Sequence, residues 1–166
     1  MRAVAHIDGG ARPTNPGHAG FAVVITLDDG SEYVLSRYIG WHSNNFAEYM
    51  ALIVAIKYAR YLGATELEVF SDSKLVVEQS YGRWRMRSDD LRPLNRDVRK
   101  LLDRHFAGAW KLTWVSREEN MVADEHCSQA IQAGRVRNPF TRRHLKDQSA
   151  GNIIDIFNTW PKKRQQ

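Results

Sequence analysis

Cysteine occurs once in the 166 residues, as Cys127, so no disulfide can form within the chain, and the composition fits a reducing compartment. No Cys/His spacing of the kind that holds zinc is present. No apolar run reaches the length that spans a bilayer, and the N-terminal residues enter a strand pattern where a signal peptide would have its apolar stretch. The cytoplasm is the expected location, and no membrane partner is expected. No internal repeat is visible. Acidic charge is in the minority: 24 Lys and Arg stand against 19 Asp and Glu, a net charge of +5. The resulting pI near 9.5 favours a polyanionic partner such as nucleic acid. With 43% apolar residues the chain can fill the core of one domain, and no second domain is needed.

The chain opens with RAVAHIDGGARPTNPG, from Arg2 to Gly17. Alternation puts Ala3, Ala5 and Ile7 on one face of a strand and Val4, His6 and Asp8 on the other, which predicts that Asp8 ends the strand ahead of a tight loop. Gly9 and Gly10 have no Cβ, so a ligand's backbone or phosphates could come close to the main chain there. Gly20 to Leu27 and Glu32 to Trp41 are β-rich runs joined by the hairpin signal Asp28-Asp29-Gly30. Asn44 to Leu62 reads as a helix that is apolar nearly all round and therefore buried against the sheet. Thr65 to Ser71 predicts a fourth strand ending at Asp72, and Ser73 to Tyr81 a short helix. Leu91, Leu94, Val98, Leu101 and Leu102 mark an amphipathic helix. Trp110, Leu112 and Trp114 mark a fifth strand, and a last core helix is expected around Asn120 to Gln132. A meander followed by alternating helices and strands suggests a mixed sheet covered by helices. The expected division is a domain over residues 1–133 and a basic tail over 134–166, in which Ile153, Ile154, Ile156, Phe157 and Trp160 could form one short amphipathic helix.

Four acidic residues stand out, and each has a structural explanation when taken alone. Asp8 could cap a turn, Asn45-x-x-Glu48 matches a capping box, Asp72 could be an N-cap, and Asp124 could lie on a solvated helix face with Glu118, Glu119 and Glu125. Together they point elsewhere. Asp8 and Asp72 both end strands, and Glu48 and Asp124 both fall near helix starts, so one rim of the sheet can gather all four. Such a group would repel itself unless cations shared it. An all-oxygen set suits magnesium better than zinc.

The motifs IDGGARPTNPG, NNFAEYMAL, FSDSKLVVEQ and NMVADEHCSQA together resemble type 1 ribonuclease H, in its order and at about its spacing, over roughly Arg2 to Ala133. The resemblance implies an α/β, ribonuclease H-like fold with a five-stranded mixed sheet in the order 3-2-1-4-5 and helices on both faces. It implies an endonuclease that hydrolyses the RNA strand of RNA–DNA hybrids by two-metal-ion catalysis, leaving a 5′-phosphate and a 3′-hydroxyl. Asp8, Glu48, Asp72 and Asp124 match the family's catalytic, metal-binding carboxylates, with Mg²⁺, or else Mn²⁺, as the metal. Asp8 would bridge both ions, Glu48 and Asp72 would serve the leaving-group side, and Asp124 the nucleophile side. For the substrate, backbone groups near Gly9, Gly10 and on to Arg12, with the side chain of Glu48, would meet 2′-hydroxyls, and Asn15, Asn44 and Asn45 match minor-groove contacts. Ser43 stands where the family often has Thr near a DNA phosphate.

Several positions depart from the family pattern. The loop from Asp8 to Asn15 is one residue longer than its commonest form. Lys74 replaces a frequent Gln, which puts charge where a base edge would be read. The His-bearing loop of some members is missing, and Arg117 is the candidate to assist product release in its place; a solvated flank of the helix cap is the alternative. His126 and Cys127 stand where Leu and Ala are usual and read as core or supporting residues. Trp84, within Arg83 to Arg87, could stack on a deoxyribose, or could cap the core instead. No basic handle is present, and the basic tail could take over part of its role. The protein is expected to act as a monomer. The rival readings are a non-catalytic hybrid-binding domain and a nuclease of the same fold acting on other nucleic acids; the D-x-E pair of proofreading exonucleases is absent at Asp8-Gly9-Gly10.

Overall fold

Three strands of equal length open the chain: β1 (Arg2–Arg12), β2 (Gly17–Leu27) and β3 (Glu32–His42), paired antiparallel in sequence order. The β2–β3 turn closes as its residues suggest: the Gly30 N–H donates to the Leu27 carbonyl, and the Asp29 carboxylate accepts from the Ser31 N–H. Helix α1 (Asn44–Tyr61) follows, then β4 (Glu66–Ser71), α2 (Lys74–Ser80), α3 (Arg92–Phe106) and β5 (Trp110–Trp114). A 3-10 turn (Glu118–Asn120) leads into α4 (Met121–Arg137). β4 pairs parallel to β1 and β5 parallel to β4, so the sheet order is β3-β2-β1-β4-β5. This computed structural model describes residues 1–137. The amphipathic helix expected over Ile153 to Trp160, and most of the basic tail, lie outside the described residues.

The two faces of the sheet are covered unequally. On one, Ala3, Ala5 and Ile7 of β1 and Phe21, Val23 and Ile25 of β2 pack into the main core with α1, which is buried nearly all round as its composition requires. Helix α3 lies outside α1 and contributes Val98, Leu102 and Phe106 from its apolar stripe. On the other face α4 seats Cys127 and Ile131 against Ala22 of β2. The helix runs five residues past its expected end at Gln132, and Gly134 lets it lie on the ring of Tyr38; a Cβ there would stand 2.1 Å from that ring. The expected domain boundary at 133/134 therefore falls inside α4.

Strand β1 departs from expectation in a way that shapes the site. It does not end at Asp8. Pairing with β4 stops at Ile7 opposite Ser71, but pairing with β2 continues through Gly9, Gly10 and Ala11 to Arg12. The glycines are therefore strand residues, and β1 projects beyond β4 with one edge that pairs with no strand among the described residues.

Candidate active site

The projecting part of β1 places Asp8 on the α4 face of the sheet, directly opposite Ala22 and beside Cys127. Glu48 comes from the second turn of α1, and what brings it to Asp8 is Gly9. A Cβ on Gly9 would stand 2.3 Å from the Ala47 carbonyl carbon and the Glu48 nitrogen, so the helix backbone rests on the strand itself. This corrects the reading of Gly9 as an opening for ligand; helix backbone fills that space. At Gly10 a Cβ would meet only ordinary contacts, Ile131 at 3.7 Å and Asn44 at 3.9 Å, and the residue lines the acidic cleft. Asp72 is the first residue past β4, where pairing with β1 has ended.

The structural explanations for these carboxylates fail one by one. Ser43 is the N-cap of α1, its hydroxyl accepting from the Phe46 N–H at 3.2 Å, so Glu48 belongs to no capping box. Ser73 caps α2, which frees Asp72 from that duty. Asp8 lies within a strand and caps no turn.

One carboxylate oxygen from each of Asp8, Glu48 and Asp72 lies within 4.8 Å of the others. Burial and then the Asp72 charge raise the Asp8 carboxyl to about 6. Burial, then Asp8 and Asp72, hold the Glu48 carboxyl well above its ordinary value. Burial also raises Asp72, against the opposing pull of Arg117. Glu48 is buried with its Oε2 lacking any hydrogen-bond partner. A buried acceptor left without a donor is costly, and a cation is the partner that would relieve it together with the mutual repulsion. Three hard oxygen donors fit a divalent ion of the magnesium type and match none of the thiolate or imidazole sets.

Asp124, in the first turn of α4, lines the same cleft but stands outside the tight trio. Its Oδ1 accepts from Arg117 at 2.8 Å, and Arg12 lies 3.9 Å away. It is thus not the solvated face residue that its acidic neighbours suggest.

The cleft, about 370 Å³, is also lined by Gly9, Gly10, Ala11, Arg12, Asn44, Asn45, Ser73 and Arg117. Asn44 braces the bare edge of β1, its Oδ1 accepting from the Ala11 N–H at 2.6 Å, and Asn15 braces Asn44 by accepting its N–H at 2.9 Å. Lys74 opens α2 as an exposed residue outside the lining. Trp84 lies 45% exposed beyond α2, so it does not cap the core. Cys127 is buried, as expected of a supporting residue, whereas His126 is half-buried.

Two residues escape a reading of motifs one at a time. Asn120 is buried and donates from Nδ2 to the Ile7 carbonyl at 2.7 Å, and it stands near enough to Asp72 to favour its charged carboxylate, which places it between the end of β1 and the end of β4. Its signal was an amide within the NMVADEH motif. Arg12 reaches the cleft wall from the end of β1, and nothing local marks it.

The family model described as reverse transcriptase-like matches residues 6–130. The bifunctional protein Rv2228c of Mycobacterium tuberculosis is 42% identical over 135 residues, 80% of this chain and 36% of its own length, so the chain spans about a third of that relative. The solved N-terminal RNase H domain of that protein is 39% identical with a TM-score of 0.72, over 80% of this chain and 95% of the domain. RNase H1 of the archaeon Halobacterium salinarum is 36% identical with a TM-score of 0.74, over 80% of this chain and 99% of that structure. LC11-RNase H1, isolated from compost and solved in complex with an RNA/DNA hybrid, is 34% identical with a TM-score of 0.73, over 80% of this chain and 98% of that one. The acidic motifs, the sheet order and these matches converge: the chain belongs to the type 1 ribonuclease H family.

Proposed function

We propose that this chain is an endonuclease that hydrolyses the RNA strand of RNA–DNA hybrids, leaving a 5′-phosphate and a 3′-hydroxyl. The observation that carries the reading is the approach of Asp8, Glu48 and Asp72 within 4.8 Å, with a buried Glu48 oxygen that has no donor. Asp8, Glu48, Asp72 and Asp124 would hold two Mg²⁺ ions. When bound, these supply Lewis-acid activation of the attacking water and charge stabilisation for the leaving 3′ oxygen.

The chain's own residues do the rest. Asp8 and Glu48 fix their oxygens on a strand and a helix in contact, so little reorganisation accompanies the reaction. Asn120 ties the turn before α4 to the Ile7 carbonyl of β1, beside Asp72. The N–H groups of Gly9 and Ala11 turn away from β2, toward Glu48 and Asn44 respectively, and their carbonyls share that bare edge, where 2′-hydroxyls can donate to them. Asn44 and Asn45 line the same side, with Asn15 behind Asn44. Ser43 and Lys74 would meet the DNA strand, Trp84 would stack on a deoxyribose, and the exposed Arg117 would exchange Asp124 for a phosphate as product leaves. The domain carries the whole site in one chain and would act as a monomer, and the basic residues beyond Arg137 would add sequence-independent affinity.

The test is one gel with uniformly labelled RNA–DNA hybrid, double-stranded RNA, single-stranded RNA and duplex DNA, each with Mg²⁺ and with chelator. Internal cuts in the hybrid's RNA strand alone, abolished by chelator, are expected. Equal cutting of duplex DNA would point to a nuclease of broader range, and binding without cutting to a hybrid-binding module.

A further inference from the structure

Among the described residues lining the acidic cleft, the cations are Arg12 and Arg117, and both approach Asp124. They are held differently. Arg117 leaves the turn before α4 with its side chain 66% exposed, and its close contact is the 2.8 Å bond to Asp124. Arg12 projects from the end of β1 and is anchored instead to α4, where its Nη1 donates to Ser128 Oγ at 2.7 Å, one helical turn beyond Asp124. Its distance to Asp124, 3.9 Å, is too long for a hydrogen bond.

A guanidinium offers a fork of N–H donors, and Ser128 takes only one of them. The remainder stand at a defined place on the wall of a cleft otherwise rich in negative charge. A phosphodiester chain can cross a rim of carboxylates only where cations flank it. A guanidinium already anchored by a hydroxyl loses less freedom on gripping a phosphate than a mobile one. Arg12 also borders a second cleft along α4, about 690 Å³, shared with Ser128, Gln129, Gln132 and Arg135. A strand leaving the acidic cleft on this side passes Arg12 first.

We propose that Arg12, anchored by Ser128, is a phosphate-binding residue that takes a backbone phosphate of the RNA strand beside the scissile one. This rests on the hybrid-cleavage reading. The alternative is that Arg12 only holds Asp124 in place, and the two differ in what they do to binding and to turnover.

The test uses the full 166-residue chain, with Arg12→Ala, Arg12→Lys and Ser128→Ala set beside the parent. Binding of a fluorescein-labelled RNA–DNA hybrid is measured in chelator across a salt series, and kcat and KM are measured with Mg²⁺. Arg12→Ala is expected to weaken binding and raise KM about tenfold, the loss of one charge-assisted contact, with nearly all of the fall in kcat/KM lying in KM. Its salt slope should drop by about one phosphate contact. Arg12→Lys should restore the slope without the full affinity, since it keeps the charge and loses the fork. Ser128→Ala should raise KM about threefold with the slope intact, because it removes the anchor and leaves the charge. Melting curves check folding, and if Arg12→Ala does not fold, the other two variants decide. Unchanged KM and salt slope, with a lower kcat and a raised Mg²⁺ requirement, would overturn the proposal in favour of Asp124 positioning. A parent that leaves the hybrid intact overturns the cleavage reading first and this proposal with it.

Discussion

Replacing Asp8 by Asn separates a cation site from a structural carboxylate through stability as well as activity. The substitution keeps the side chain's shape and an oxygen that can accept from Cys127, and removes one charge from a buried trio. In the folded protein the Asp8 carboxyl is raised from 3.8 to about 6, mainly by burial and the Asp72 charge. A carboxyl raised on folding binds its proton more tightly in the native state, so stability is fullest below pH 3.8 and falls as pH rises toward 6. At about 1.36 kcal/mol for each pH unit, the full penalty in metal-free protein is about 3 kcal/mol. Glu48, also held above its ordinary value by burial and by Asp8, shares that repulsion, so the gain from removing Asp8 alone is smaller, of order 1 kcal/mol or more. For a domain of this size that corresponds to a rise in melting temperature of roughly 2–4 °C or more. The assay is thermal melting of parent and variant in chelator at pH 7.5 and pH 4, then with Mg²⁺ at pH 7.5, beside a hybrid-cleavage gel. The variant should melt higher in chelator at pH 7.5, lose that advantage near pH 4, gain less from Mg²⁺ than the parent, and cut nothing. A variant that melts lower in chelator at pH 7.5, or that still cuts, would refute the shared-site argument.

Gly9→Ala puts a methyl group 2.3 Å from the backbone of Ala47 and Glu48, where no flexible side chain can yield. It should cost about 1–3 kcal/mol, read as a lower urea midpoint, and cripple cleavage by displacing Glu48; an unchanged midpoint would show that α1 does not rest on β1 there. Asn120→Ala strips the Ile7 carbonyl of its buried donor and removes the amide beside Asp72. A loss of about 1–3 kcal/mol with reduced kcat is expected, and full activity at parental stability would count against its role. Truncation after Arg137, which spares the Gly134 contact with Tyr38, should raise KM and flatten the salt dependence with kcat little changed. Identical salt slopes would show that the removed residues grip no phosphate.

The strands and helices were legible in the sequence because their signals are local. Alternation at Ala3, Ala5 and Ile7 marks β1, the all-round apolarity of Asn44 to Leu62 marks a buried helix, and the stripe at Leu94, Val98, Leu101 and Leu102 marks α3. The four acidic motifs, in order, carried the resemblance from which the sheet order followed. What the tertiary structure decided depends on residues far apart along the chain. β1 runs through its glycines because β2 goes on pairing with it, and no local propensity would extend a strand through Gly9-Gly10. Gly9 is bare to admit the backbone of residues 47 and 48, a close approach invisible to any window around either segment. Which residue caps a helix is settled by geometry over a few residues, and Ser43 and Ser73 took the caps that Asn45 and Asp72 could have taken. Asp124 stands apart from the trio on α4, where its carboxylate accepts from Arg117, a pairing that exists only once α4 has packed against the sheet. Asn120 finds Ile7 across 113 residues and Arg12 finds Ser128 across 116, so their parts in the site exist only once the sheet has closed and α4 has packed against it.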